Sequence, residues 1–332
     1  MLASLVEDLP VTSAISQKTV LGCLAALAIC PFGLFGSCTL PAQVSSVVYV
    51  ISGTNILEFD ESGNFKLQFG GTGTGPGQFE LPSGITVSND TGRVYVTDAI
   101  LNRIQVFDAC GNLLSPYGST ALQIGSTGTG PGFLYQPYGI TVFGSNLWVA
   151  DTGNNRIVVF SQTGAFLFQT GSLGGGNGQF NAPTSLTATD TLWVSDTGNN
   201  RIQQFSVTTN LNTLTPTGVT FLQKFGTYGY GSGQFRGPFG IASNGPDVWV
   251  ADSQNQRVQE FTSSGAFVGN IGPFSYPSPY GIAMDAAGIW TVDYNTNQVI
   301  LFSPTGTKLL SFGAGLLFHP TYIAVGLISG DV

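Results

Sequence analysis

Four times in this chain an aspartate is followed, five residues on, by an arginine: Asp98 and Arg103, Asp151 and Arg156, Asp196 and Arg201, Asp252 and Arg257. A fifth aspartate, Asp293, stands in a like segment with Gln298 at the arginine position. A carboxylate and a guanidinium at this spacing can act on a reacting group, or they can pin a stretch of chain through a bidentate ion pair. Catalysis needs one asymmetric centre, and four copies of one pair are the opposite of that. The pairs are therefore expected to be structural. Each sits in the same kind of segment, such as VADTGNNRIVVF from Val149 and VSDTGNNRIQQF from Val194. An apolar run ends in Asp, a Gly/Asn cluster turns the chain, and Arg opens a second apolar run, which is a β-hairpin pattern. Gly153 and Asn154 are the turn residues expected to tolerate a positive φ.

Other chemistry is thin. The chain has one histidine, His319, and a zinc site of several imidazoles cannot be built from one. No Ser/His/Asp arrangement or nucleophile elbow is present. The GTGTGPG runs resemble phosphate loops, but no helical pattern follows them to supply an N-terminus. No cofactor is expected. Carboxylates or carbonyls around a central channel would suit calcium, although no spacing calls for it.

The hairpins belong to a longer repeat. Residues 73–118 contain four strand-like runs: GITV, RVYVTD, RIQVFD and NLLSPYG. Four strands in a unit of 40 to 50 residues make one propeller blade. A proline precedes the first strand at Pro82, Pro137, Pro183, Pro238, Pro279 and Pro320. An aromatic marks the second strand at Tyr49, Tyr95, Trp148, Trp193, Trp249 and Trp290, and these rings are expected to fill the space between blades. The two series are one strand out of phase. Ring closure accounts for this: HPTYIAVG at the C-terminus supplies the innermost strand of a first blade whose other three strands come from the N-terminal run SVVYVISGTNILEFDESGNFKLQFG. The expectation is an all-β, six-bladed propeller of four-stranded antiparallel blades.

The pattern GQF…P…GI…VYVTD…NRIQVF closely resembles the NHL-repeat β-propellers, over residues 45–326. Some members are lyases that use zinc held by several histidines, or a catalytic histidine, and others bind RNA on a basic face. Neither transfers easily. His319 has no partner at a readable spacing. After residue 38 the chain carries 9 Lys and Arg against 16 Asp and Glu, a net charge of −7, which lacks the footprint for phosphate backbones. No nucleic-acid partner is expected.

Composition agrees with a strand-rich body. Of 332 residues 46 are Gly, only 8% are charged and 42% are hydrophobic, which excludes a charge-driven disordered chain. Before the body, Lys18 precedes the apolar stretch TVLGCLAALAIC, too short to span a membrane comfortably and suited to a signal-peptide core. FGSC, ending at Cys38, resembles a lipobox, so Cys38 is a lipidation candidate and the only expected link to a membrane. Residues 1–38 are thus expected to form a leader, 39–45 a short linker and 46–332 the propeller, in an extracytoplasmic protein that is secreted, periplasmic or lipid-anchored. Cys23, Cys30 and Cys38 fall with the leader, an arrangement read as a leader set plus a single thiol, Cys110, in the body.

Strand order puts the interblade loops and the Asp-to-Arg turns on one face. Those loops are expected to vary freely on a rigid frame and so to carry recognition. Tyr135, Tyr138, Tyr228, Tyr230, Tyr276 and Tyr280 fall in or beside them, with Tyr228, Tyr230, Tyr276 and Tyr280 expected to share one patch near the channel rim. TTNLNTLTPTGV, residues 208–219, lengthens the fourth blade on the other face. The expected function is recognition of a protein, a glycan or another envelope component through the loop face. The alternative is a propeller enzyme, a lyase or lactonase-like hydrolase with a channel metal.

Overall fold

In the computed structural model, residues 45–114, 123–210, 215–271 and 278–328 are described. They lie in the compact unit Cys38–Val332. The leader, Cys38 and Tyr276 fall outside the described residues.

The strands run in chain order. β1 (Ser45–Ser52), β2 (Asn55–Asp60) and β3 (Phe65–Gly70) open the first blade. β4 (Pro82–Val87), β5 (Val94–Asp98), β6 (Arg103–Phe107) and β7 (Gln123–Ile124) form the second. β8 (Pro137–Phe143), β9 (Asn146–Asp151), β10 (Arg156–Ser161) and β11 (Phe166–Thr170) form the third. β12 (Pro183–Ala188), β13 (Leu192–Asp196), β14 (Arg201–Thr209) and β15 (Pro216–Phe225) form the fourth. The fifth holds β16 (Pro238–Ser243), β17 (Asp247–Asp252), β18 (Arg257–Thr262) and β19 (Phe267–Ile271). The sixth holds β20 (Pro279–Asp285), β21 (Gly288–Asp293), β22 (Gln298–Phe302) and β23 (Lys308–Phe312). β24 (Pro320–Ile328) then returns to pair antiparallel with β1, with Val48 opposite Val325 and Val50 opposite Ile323. The ring is six four-stranded sheets, and its first blade is closed by the C-terminal strand.

The aromatics of the second strands pack between blades, as their spacing implies. Trp148 on β9 meets Phe180, Leu186 and Val194 of the fourth blade, and Trp290 on β21 meets Val48, Val50 and Phe59 of the first. Trp148, Trp249 and Trp290 are fully buried. Rings of this size dominate the apolar area removed from water in each seam.

Two details differ from the sequence reading. The fourth strand of the second blade is Gln123–Ile124; of the NLLSPYG run the described residues are 112–114, where Leu113 forms an isolated bridge to Phe107. Ile124 sits one residue before Gly125 (φ 83), as Thr170 precedes Gly171 (φ 100) in the next blade, so the extra residues are an insertion between the third and fourth strands. Cys110 is disulfide-bonded, not a single thiol; the other three cysteines lie outside the described residues.

Candidate binding face

The Asp–Arg hairpins are built as staples. Asp151 ends β9, a one-turn 3-10 helix follows at Thr152–Asn154, and Arg156 opens β10 opposite Asp151. The positive φ falls on Asn155 (φ 55), not on Gly153 or Asn154. Gly153 is needed for a different reason: a Cβ there would stand 2.6 Å from Tyr135 O, in the incoming interblade loop. Arg156 Nε donates to Asp151 Oδ2 at 2.7 Å, and Arg201 and Arg257 repeat this with Asp196 and Asp252 at 2.7 and 2.9 Å. The contact is single rather than bidentate, because the two remaining nitrogens are used elsewhere. Arg156 Nη1 donates to Thr129 O, and Nη2 to Gly130 O and Phe133 O, all backbone of the preceding interblade loop. Asp151 Oδ1 in turn accepts Tyr135 N at 2.7 Å. The carboxylate is fully buried, and burial pushes its pKa up against the opposing pull of these donors.

The second blade departs from the scheme. Among the described residues no ion pair joins Asp98 and Arg103. Asp98 instead accepts the backbone N–H groups of Glu80, Leu81, Ile100 and Leu101. Arg103 keeps its loop carbonyls, Gly75 O and Gln78 O, and adds Gln123 Oε1, while its Nε is buried without a partner. The turn here reads AILN, without the TGN of the third and fourth blades, and it forms no 3-10 helix. Asp293 holds its turn through Ser278, Asn295 and Thr296 N–H groups, without an arginine.

The interblade loops are therefore not free to vary. Phe79, Leu134, Phe180 and Phe235 are buried anchors, each in a parallel bridge to the loop's start. Gln179 and Gln234 fold their amides back onto Gly176 and Gly231 N–H groups. Two latches missed in the sequence join neighbouring blades. The hydroxyl after the aspartate donates across the seam: Thr152 to Pro183 O, Thr197 to Pro238 O and Ser253 to Pro279 O, at 2.5–2.6 Å. The residue before the arginine accepts the N–H that precedes the next proline, as Asn155 does from Ala182 and Asn297 from His319. The signal was present as a hydroxyl at Asp plus one and an Asn at Arg minus one.

On this frame the expected tyrosines separate. Tyr228 and Tyr230 stand 62% and 66% exposed on the fifth blade's loop, with Arg236 bonded to the Tyr230 hydroxyl and lying 5.4 Å from its ring centroid. Tyr135 is exposed on the third blade's loop. Tyr138 and Tyr280 are half-buried at the channel mouth, where both touch Phe239. No ring contact joins Tyr228 or Tyr230 to Tyr280 among the described residues. The row at the mouth continues from Tyr280 to Tyr294, then to the exposed His319, stacked on Tyr294 at 4.5 Å and 11°, and to Phe318. Phe239, Tyr294 and Tyr322 were not anticipated. The position after each blade's proline would have found Phe239.

Tyr322 closes the channel. It stands where Gly84, Gly139, Gly240 and Gly281 lie in other blades, and a Cβ on Gly281 would come within 2.7 Å of Tyr322 Cα. Its hydroxyl donates to Thr184 O at 2.6 Å, crossing the ring from the first blade to the fourth. Among the described residues no group of three or more His, Cys, Asp or Glu is placed to hold a metal ion.

Comparison with known families matches this geometry. A family described as a 6-bladed beta-propeller matches residues 44–117, and the NHL repeat family matches residues 134–160, which span β9 and β10 with their Asp–Arg staple. The chain is a six-bladed propeller that carries NHL-repeat sequence in its third blade. Human NHL repeat-containing protein 3 is 30% identical over 150 residues, covering 41% of this chain and 41% of that protein. Protein brain tumor of Drosophila melanogaster is 27% identical over 154 residues, covering 43% of this chain and 14% of that protein. The chain thus spans less than half the length of either relative. Among solved structures, a chain of a nidogen/laminin complex aligns with TM-score 0.62 at 14% identity, over 86% of this chain and 99% of that one. A catalytically inactive virginiamycin B lyase from Staphylococcus aureus with quinupristin aligns with TM-score 0.52 at 18% identity, over 73% of each chain. At these identities the two structures speak for the fold alone.

Proposed function

We propose that this propeller is an exported binding scaffold that takes a protein partner on its interblade-loop face. One observation carries the reading: that face presents large apolar side chains, exposed by more than half, on a rigid frame. Leu173, Tyr228 and Tyr230 are each more than half exposed there on loops that Arg201 and Arg257 staple, and Leu316 and Phe318 are so on the closing loop, which Ser52 and Asn297 hold. A stapled loop has little order left to lose on binding, and large apolar side chains on a rigid frame are what a protein interface uses as anchors. NHL propellers commonly bind proteins. Export is supported by the leader composition.

The test is site-specific photo-crosslinking in the producing cell. A crosslinkable residue at Tyr228 is expected to yield a discrete protein adduct, and one at Phe166, exposed on the outer strand β11, to yield none. Adducts of equal yield from both positions would remove the face assignment, and adducts from neither would remove the protein partner.

A further inference from the structure

The seams between blades are not held alike. From the second blade to the third, Ser83 donates to Pro137 O and Thr97 to Tyr138 O, at 2.7 and 2.6 Å. The Thr152, Thr197 and Ser253 hydroxyls hold the next three seams, and Asn297 accepts His319 N between the sixth blade and the first. Between the first blade and the second, the hydroxyl position is Gly53 and the turn is cut short, with Ser52 pairing directly with Asn55. Among the described residues no side chain of that turn bonds to a strand of the second blade. Thr54 Oγ1 meets only Thr72 Oγ1, at 2.9 Å, in the adjoining loop. That loop is tied to the second blade, whose Arg103 holds Gly75 O and Gln78 O. The side-chain bond that does cross the seam lies at its opposite end, where Asn89 Oδ1 accepts Leu327 N at 3.0 Å.

The same seam buries an unsatisfied pair. Tyr49 packs there with Val94, Val96 and Phe107 of the second blade. Glu58 stands opposite Tyr49 in the register of β1 and β2, and Glu58 Oε2 and the Tyr49 hydroxyl are both buried without a hydrogen-bond partner. The charged groups around the pair are Lys66 on β3, which is engaged with Asp60 at 2.9 Å, and Asp108 in the turn after β6. Buried polar atoms without partners raise the energy of the closed arrangement, and water admitted between the blades would satisfy both. Burial pushes the Glu58 carboxyl up to about 7, so its charged form is present near neutral pH and adds to that cost.

We propose that the ring opens locally at this seam, the first and second blades parting at the loop face while the other seams stay shut. The parting divides the loop face. Phe318, bonded to Ser52, goes with the first blade, and the loop held by Arg103 goes with the second. A partner lying across both would hold the seam closed. That consequence depends on the loop-face function; the opening does not, and it is measured without a partner.

Thiol labelling of the native full chain reads the opening. The residue two before each turn aspartate is a fully buried valine: Val96 in this seam, and Val149, Val194 and Val250 in the three that follow. Each is changed singly to Cys and treated with iodoacetamide without reductant, so that Cys110 keeps its disulfide, and labelling is read by mass spectrometry on the peptide that carries the new thiol. In the absence of denaturant Val96→Cys should react about tenfold or more faster than the other three, with a rate that barely changes at low denaturant, whereas the others follow the slope of global unfolding. Val94→Cys, in the same seam, repeats the measurement should Val96→Cys lower the melting temperature. Asn89→Ala should speed the Val96→Cys reaction severalfold, and Glu58→Gln should slow it at pH 8. Asp151→Asn, in the third blade, should leave it unchanged at low denaturant. Equal rates in the four seams, a Val96→Cys rate that follows the global slope, or one that neither Asn89→Ala nor Glu58→Gln moves would each overturn the opening.

Discussion

At the scale of single residues the molecule separates charges that hold from a charge that strains. The buried Asp151 is satisfied from three sides, by Tyr135 N, Asn154 and Arg156. Replacing it by Asn leaves Arg156 buried at a group that no longer carries charge. Asp151→Asn is expected to lower stability by about 1–3 kcal/mol in denaturant titration, with loop-face binding retained. Glu58 is the contrary case. It faces Tyr49 across β1 and β2 in the seam with the second blade, and its Oε2 and the Tyr49 hydroxyl are both buried without a hydrogen-bond partner. Burial pushes the Glu58 carboxyl up to about 7, and the Lys66 ammonium pulls the other way without offsetting it. A carboxyl raised on folding stabilises most below its unfolded value of about 4.5, and that contribution is lost as pH rises through about 7. The loss is up to about 3 kcal/mol. Glu58→Gln should therefore be more stable than the parent at pH 8, with the difference vanishing at pH 4; parallel stability curves would refute the strain.

At the scale of elements, what the sequence made legible was whatever the repeat had to repeat. Proline positions, second-strand aromatics and the out-of-phase termini were enough for blade count and closure, because each is demanded by packing in every seam. What it hid were departures from the repeat and contacts between copies. The insertion in the second blade reads as a continuous strand-forming run, so NLLSPYG looked like the fourth strand until Ile124 was seen to carry the Gly125 turn. The Arg103 turn looked equivalent to the others because spacing alone cannot report that AILN will not form a 3-10 turn. The loops looked variable because their buried anchor alternates between Phe and Leu, at Phe79, Leu134, Phe180 and Phe235. Closure has its own prediction. β24 is the inner strand of the first blade, and Ile323 and Ala324 pack into the seams on either side of it. A chain ending after Gly313 should lose cooperative unfolding altogether, followed by circular dichroism on heating; an unchanged midpoint would mean the ring does not depend on that strand.

At the scale of the whole molecule the two faces differ in kind. One presents apolar and aromatic side chains on stapled loops, and its Asp–Arg charges are consumed inside the staples. The other carries the exposed Asp90 and Asp190 on the turns between innermost and second strands. The central claim is that the first face recognises a protein, and Tyr228 and Tyr230 test it most directly, because they stand on a loop that Gln234, Arg257 and Phe235 hold without them. The measurement is the affinity of Tyr228→Ala with Tyr230→Ala for the protein captured at the loop face, taken beside the melting temperature of the same sample. The account predicts a loss of about 1 kcal/mol or more for each ring with the melting temperature within a degree of the parent. Affinity left intact, or a fall in melting temperature of several degrees that carries binding down with it, would contradict it.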